Sequence, residues 1–145
     1  MASKKELDET YMGVALLHSR LSKATRMHVG ACMVLESGIL VPGVNGLPRA
    51  LGNVCEEFRF DLEEMTDVWK TKIEVIHAEE ACILKAAKEG LSVRNSTVYI
   101  THPPCRHCAS MLISVGVSRV VYDNTYRDMT GLDLLAQSGI IVDKY

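Results

Sequence analysis

Two short motifs that can hold one metal ion constrain this chain more than any other feature. His77 and Glu79 are separated by one residue, and Cys105 and Cys108 follow as a C-x-x-C pair. One imidazole and two thiolates fill three corners of a zinc tetrahedron and leave the fourth open for water, as catalytic zinc sites do. Any fold of this chain must therefore bring His77 close to the cysteine pair. We interpret His77, Cys105 and Cys108 as ligands of one Zn²⁺ per subunit, and Glu79 as the catalytic residue that moves protons.

The spacing places both ligand clusters at the starts of helices. A helix is predicted over 77–90 and another over about 105–116, after Pro104, which suits the first position of a helix because it has no N–H to leave unpaired. Cys105 and Cys108 are three residues apart, so one helical turn puts the two sulfurs on the same side. The positive end of each helix favours the thiolate forms that zinc needs.

The hydrophobic pattern of the rest of the chain predicts strands that alternate with helices. Pro42 and Gly43 interrupt the second strand, which is typical of an edge position or a bulge. The pattern predicts a three-layer α/β/α sandwich with a mixed five-stranded sheet, as one domain over residues 1–145. The remaining predicted helices cover 6–21, 61–75 and 128–138, and the predicted strands cover 29–35, 39–44, 97–101, 119–122 and 140–142.

The composition narrows the class of protein. The chain is 48% hydrophobic and 23% charged, as soluble globular proteins are, and its net charge is −2. The longest basic block is Lys4-Lys5, which argues against a polynucleotide partner. The apolar stretches are too short for a membrane span, and the N-terminus leads into no signal-like segment. We therefore expect a cytoplasmic protein in which Cys32, Cys55 and Cys82 are reduced thiols.

Several further segments occur in a fixed order around the metal motif. They are SKATRMHVGACMV at 22–34, GVNGLP at 43–48, HAEEA at 77–81, VYIT at 98–101, PC at 104–105, CA at 108–109, RVVY at 119–122, YRD at 126–128 and GI at 139–140. Together they resemble the deoxycytidylate (dCMP) deaminases of the cytidine deaminase superfamily, in a compact bacterial or phage form. The arrangement H-x-E followed by P-C-x-x-C is the signature of zinc nucleobase deaminases.

The resemblance implies a hydrolytic reaction, in which dCMP becomes dUMP and ammonia and dUMP is supplied for thymidylate synthesis. Zinc lowers the pKa of water towards about 7, and Glu79 moves the proton to the ring nitrogen and assists the departure of ammonia. Other substrates remain open, namely dCTP, deoxycytidine or a modified dCMP. A nucleic-acid-editing deaminase, a redox cysteine pair and a zinc-stabilised interaction domain are the alternatives of other classes.

The resemblance also implies a set of substrate contacts. Asn45 is expected at the deoxyribose, unless it is an ordinary turn asparagine. Ala78 and His102 are expected in the base pocket, although a loop histidine bonded to backbone would look the same. Tyr126 is expected to close over the nucleotide, or else to pack at a helix entry. The candidates for the 5′-phosphate, each of which could equally be a solvated polar or charged group, are Ser22, Lys23, Arg26 and Arg127.

Regulation is a further implication of the resemblance. Family members often bind dCTP as activator and dTTP as inhibitor within a hexamer. A regulatory nucleoside triphosphate would be bound together with Mg²⁺. The corresponding loop here is Gly43, Val44, Asn45 and Gly46. Val44 replaces the usual aromatic residue, which removes a stacking platform worth about 0.5–1.5 kcal/mol, and Ala50 replaces a common glycine.

Overall fold

The computed structural model describes residues 1–125 and 128–145. In this part of the chain the helices are α1 (Lys4–Ser19), α2 (Ala78–Lys88), α3 (Arg106–Ser114) and α4 (Thr130–Gln137). The strands are β1 (Gly30–Val34), β2 (Leu40–Val44), β3 (Glu56–Asp61), β4 (Thr66–Thr71), β5 (Thr97–Ile100), β6 (Arg119–Tyr122) and β7 (Ile141–Lys144). None of these helices combines the length and the apolar character that a membrane span requires.

Five strands form one mixed sheet in the order β2-β1-β5-β6-β7. β1 runs antiparallel to both β2 and β5, whereas β5, β6 and β7 are parallel. The predicted mixed five-stranded sheet is thus confirmed. β2 lies at the edge, as Pro42 predicts, since a proline lacks the N–H that a central strand needs.

Helices cover both faces of this sheet. On one face, Met12 and Ala15 of α1 pack against Cys32 and Tyr99. On the other face, residues of α2, α3 and α4 enclose the alternate side chains of the same strands, such as Met33. Successive side chains of a strand point to opposite faces, so β1 contributes to both cores. The predicted α/β/α layers are therefore confirmed.

The predicted helix over 61–75 is wrong. Residues 56–71 form a separate two-stranded antiparallel hairpin, β3 with β4. The chain reverses at residues 62–65, where Met65 has a φ of 53°, a left-handed conformation that a right-handed helix excludes. Asp61 caps the turn, since its Oδ1 accepts hydrogen bonds from the N–H groups of residues 63 (2.8 Å) and 64 (2.9 Å).

Candidate active site

Two helix N-termini meet at the centre of the site. His77 is the N-cap of α2, and its backbone N–H donates to Oε2 of Glu80 at 3.3 Å. Cys105 is the N-cap of α3, and its Sγ accepts from the N–H of Cys108 at 3.5 Å. N-cap residues have extended backbone while the following residue is helical, so their side chains reach forward over the helix end. The positive ends of both helix dipoles therefore lie beside the same three side chains.

His77, Cys105 and Cys108 form a triangle that fits one zinc ion. Nδ1 of His77 lies 3.6 Å from Sγ of Cys105 and 3.3 Å from Sγ of Cys108. All three ligand atoms lie within 4.8 Å of one another. Tetrahedral zinc, with Zn–S of about 2.3 Å and Zn–N of about 2.0 Å, requires N···S separations of about 3.5 Å. The donor set and the spacing thus match a site with three protein ligands and one open position.

The proton equilibria of the triangle favour a thiolate at Cys105. Hydrogen bonds from Cys108 and His77 lower the pKa of Cys105 to about 3. The hydrogen bond to Cys105 raises the pKa of His77 to about 8, against the opposing effect of burial. The bond to Cys105, together with burial, raises the pKa of Cys108. The cluster therefore holds negative charge on sulfur where a cation would bind.

Glu79 lies in the first turn of α2, next to the triangle and almost completely buried, with 2% of its surface exposed. Burial raises the pKa of its carboxyl group. A carboxyl group whose pKa moves towards neutrality can accept and return a proton under physiological conditions. Its position and environment suit proton transfer.

A cavity of about 310 Å³ opens beside the triangle and is lined by His77, Cys105 and Glu79. Four of the predicted substrate-binding residues line the same cavity, although they come from separate parts of the chain: Arg26, Asn45, Ala78 and His102. Sequence reasoning missed other wall residues, namely Met27, Val29, Thr71, Val75, Ile100 and Pro103. Thr71 belongs to β4, the second strand of the hairpin. The alternating aromatic and charged residues of β3 are a short sequence signal for this hairpin, and recognising it would have located Thr71.

Asn45 clamps two segments of the cavity wall together. Its Oδ1 accepts from the N–H of Val29 at 2.9 Å, and its Nδ2 donates to the carbonyl of Met27 at 2.8 Å. Ser22, which is buried, donates from Oγ to the carbonyl oxygen of Asn45 at 3.3 Å. Asn45 thus lines the cavity and joins its own loop to residues 27–29, whereas Ser22 bonds to Asn45 from outside the lining.

His102 is held by its neighbour Thr101. The Thr101 hydroxyl oxygen accepts from the N–H of Gly30 at 3.1 Å and lies 2.9 Å from Nδ1 of His102. A buried hydroxyl that already accepts one bond needs an acceptor for its own proton, and Nδ1 can provide it. Burial lowers the pKa of His102, which favours the neutral ring. The ring then keeps an N–H at Nε2.

The predicted regulatory loop borders a second cavity, of about 210 Å³. Val44, Asn45 and Gly46 line it together with Lys23, which does not line the first cavity. Gly43 instead faces α2 inside the fold. Tyr126 and Arg127, predicted at the nucleotide, lie outside the described residues.

Two glycines allow the close packing that brings the ligands together. A Cβ on Gly43 would lie 2.1 Å from the carbonyl oxygen of Ala78, at the start of α2. A Cβ on Gly131, in α4, would lie 2.0 Å from the carbonyl oxygen of Pro104, next to the ligand Cys105. Real Cβ atoms do not approach so closely, so larger residues would push either ligand-bearing segment away.

Comparison with known protein families gives a match over most of the chain. The model of the cytidine and deoxycytidylate deaminase zinc-binding region matches residues 5–124. A dCMP deaminase from the cyanophage S-TIM5, solved in complex with dCMP and dUMP, superposes with a TM-score of 0.84 at 37% identity. That match covers 99% of this chain and 100% of the phage chain.

Two curated relatives carry similar names. The deoxycytidylate deaminase of enterobacteria phage T4 is 30% identical over 92% of this chain and 86% of its own length. A probable deoxycytidylate deaminase of Drosophila melanogaster is 33% identical over 79% of this chain. The aligned region spans only 58% of the Drosophila protein.

Proposed function

Because the chain belongs to the cytidine and deoxycytidylate deaminase family, we propose that it is a zinc-dependent hydrolase that converts dCMP to dUMP and ammonia. The observation that carries the proposal is the His77–Cys105–Cys108 triangle beside the buried Glu79, on the wall of a nucleotide-sized cavity. The S-TIM5 enzyme, whose complex contains dCMP and dUMP, supports the choice of substrate.

His77, Cys105 and Cys108 would hold the zinc ion. When bound there, zinc supplies Lewis-acid activation of a water molecule, whose pKa falls towards about 7. Glu79 would take a proton from the attacking water and deliver it to the ring nitrogen next to C4 while the C–O bond forms at C4. Glu79 would then move the proton of the new C4 hydroxyl to the amino group as the C4–N bond breaks, so that ammonia leaves and a carbonyl remains.

The cavity wall suggests how the nucleotide would be oriented. We assign Arg26, which is exposed at the cavity, to the 5′-phosphate, since a guanidinium offers two parallel hydrogen bonds. The second N–H of the Asn45 amide is the candidate contact to the deoxyribose, because the first donates to Met27. His102 and Ala78 would face the base. Arg127, Tyr126, Ser22 and Lys23 stay predictions for the substrate.

Ammonia release by the zinc-loaded protein tests the reaction, with dCMP, dCTP, CMP and deoxycytidine as substrates. We expect selective turnover of dCMP. Glu79→Gln should lose about 10²- to 10⁴-fold in rate while its zinc content stays that of the wild type. Glu89→Gln, at the opposite end of α2, is the matched control and should keep the full rate. Turnover of another substrate alone would contradict the substrate assignment, and undiminished turnover by Glu79→Gln would contradict the mechanism.

Regulation by dCTP and dTTP, a Mg²⁺ that accompanies them, a hexameric assembly and a cytoplasmic location stay predictions. The second cavity, where Val44 and Gly46 of the loop meet Lys23, supports the regulatory prediction because a lysine there can meet a phosphate. If regulation operates, dCTP should shift a sigmoidal rate curve to lower dCMP concentration. A hyperbolic curve that dCTP leaves unchanged would contradict it.

A further inference from the structure

Among the described residues, the hydrogen bonds that join the hairpin of residues 56–71 to the rest of the molecule lie at its base. Its two strands pair with each other and with no other strand of the described residues. At the base, Oε1 of Glu56 accepts from the N–H groups of Thr25 (2.8 Å) and Arg26 (3.1 Å), and the N–H of Lys72 donates to the carbonyl of Cys55 at 2.8 Å. A two-stranded hairpin alone is marginally stable in water. This one therefore needs support from elsewhere.

One side of the hairpin is aromatic and exposed. Phe58 and Phe60 alternate on β3, and Trp69 lies directly opposite Phe58 on β4, with ring centroids 5.4 Å apart. Their exposed fractions are 58%, 53% and 63%, respectively. We call these three residues the aromatic face. Aromatic side chains offer about 150–250 Å² each, so the aromatic face leaves on the order of 300 Å² in solvent. Exposed apolar patches of that size commonly mark interaction sites.

The charge of the hairpin limits what could cover the aromatic face. Residues 56–71 contain six acidic residues and two basic residues. Glu56 and Asp61 are buried, so the negative charge nearer the surface comes from Glu57, Glu63, Glu64 and Asp67. A nucleic acid would be repelled by this surplus of carboxylates, although aromatic side chains can stack on bases. The fitting partner is an apolar surface with basic residues around it.

This chain has such a surface at the end of α1. Leu16, Leu17 and Leu21 are 39%, 58% and 60% exposed there. Arg20 and Lys23 are exposed beside them and form no salt bridge among the described residues. Residues 10–35 contain no acidic residue at all. We call residues 16–23 the leucine end.

We propose that the aromatic face of one copy packs against the leucine end of a second copy. The two surfaces are apolar at their centres and opposite in charge at their rims, which is the usual anatomy of a protein interface. A stable interface needs about 800 Å² from each partner, so the aromatic face would form its centre, and Leu62 and Met65 at the hairpin tip would extend it.

The interface would also act on the candidate active site. Thr71 lies two residues beyond Trp69, on the same side of β4, and it lines the cavity with Val75. Packing a second copy on Trp69 restrains this wall of the cavity. Only this last step rests on the proposed deaminase function, because the interface itself depends on the two surfaces alone.

Two double variants of the zinc-loaded protein test the pairing, with the mass in solution as the measurement. Phe58→Ser with Trp69→Ser removes the aromatic face, and Leu17→Ser with Leu21→Ser removes the leucine end. The matched control is Leu84→Ser with Ile141→Ser, which replaces two exposed apolar residues elsewhere. Circular dichroism and zinc content verify that each variant folds.

We expect the wild type and the control to assemble, and each surface variant alone to have the mass of one chain. A mixture of the two surface variants should assemble again, because each retains the surface that the other has lost. Assembly should weaken with added salt, since the rims are opposite in charge. The specific rate of deamination should fall in each surface variant and recover in part in the mixture.

A wild type that stays monomeric would overturn the proposal, and so would surface variants that still assemble. A mixture that stays dissociated would overturn the pairing. A leucine-end variant that assembles by itself, while the aromatic-face variant does not, would overturn it too, because the hairpin would then pack on a second hairpin. Single-stranded DNA bound by a monomeric wild type through Trp69 would assign the aromatic face to nucleic acid instead. An absence of dCMP turnover would refute the proposed function and leave the mass measurement valid.

Discussion

Arg119 holds Asp8 by two parallel hydrogen bonds, from Nη1 to Oδ1 and from Nη2 to Oδ2, each of 2.8 Å. Asp8 lies in α1 and Arg119 begins β6, so this pair fastens the helix that covers one face of the sheet to a central strand. The hydroxyl of Tyr99 donates to the same Oδ1 at 2.8 Å, and Nε of Arg119 donates to Asp143 of β7 at 2.8 Å. The side chains of Asp8 and Arg119 are each only 14% exposed.

This network should make the stability of the fold depend on pH. The Arg119 guanidinium holds the pKa of Asp8 well below its usual range. A depressed pKa means that the pair stabilises the fold above about pH 4, where the unfolded carboxyl is ionised, and that this stabilisation is lost as the pH falls towards the folded pKa. Asp8→Asn should lower the free energy of unfolding by about 2–4 kcal/mol at neutral pH and flatten its decline in acid. Urea unfolding across the acid range measures both effects, and Glu36→Gln, at an exposed turn, should reproduce the wild-type profile.

Gly131 should control the affinity for zinc without touching the metal. In Gly131→Ala the new methyl group would meet the carbonyl of Pro104, so α4 or the Cys105 segment must shift. We expect zinc to bind at least about tenfold more weakly, as it does when groups that orient metal ligands are altered. Competition with a chelator gives the affinity. Gly13→Ala adds the same methyl group in α1, where nothing lies within 4 Å, and should bind zinc normally.

Zinc removal should lower the melting temperature without unfolding the protein. The cores on both faces of the sheet consist of apolar side chains that do not depend on the metal. Zinc at about 100 times its dissociation constant adds about 2.7 kcal/mol of stability, which chelation would remove. Calorimetry with and without chelator tests this, and His77→Ala should melt at the same temperature in both conditions. Complete unfolding on chelation would favour a zinc-stabilised structural domain.

Thr101→Val should destabilise the fold and free the His102 ring. The substitution preserves shape but removes the oxygen that accepts from the N–H of Gly30. Leaving that buried N–H without a partner should cost about 1–3 kcal/mol in the free energy of unfolding. Denaturant unfolding measures the loss. Thr97→Val, at the start of β5, should change stability much less, because no side-chain hydrogen bond of Thr97 is present in the described part of the chain.

Much of the fold could be predicted from local patterns. β6 was predicted with its observed bounds, and the other strands of the main sheet and the four helices were predicted within a few residues, because each has a hydrophobic period and clear end signals. The helix predicted over 61–75 failed because a turn at residues 62–65 divides that range. The strands on either side of the turn are six residues each, too short for the period of two to stand out from the sequence.

The sequence by itself determined the candidate metal-binding cluster of this protein and the carboxylate beside it. His77, Glu79, Cys105 and Cys108 are identified by residue type and local spacing, and their placement at helix starts follows from the same short segments. Tertiary structure alone decided what surrounds them. Arg26, Asn45, Thr71 and His102 come from four separate segments of the chain, and their meeting at one cavity depends on the order of strands in the sheet and on the hairpin. No local pattern predicts such distances, because they result from packing between segments far apart in the chain. This packing is so close that a Cβ atom at Gly43 or Gly131 would not fit.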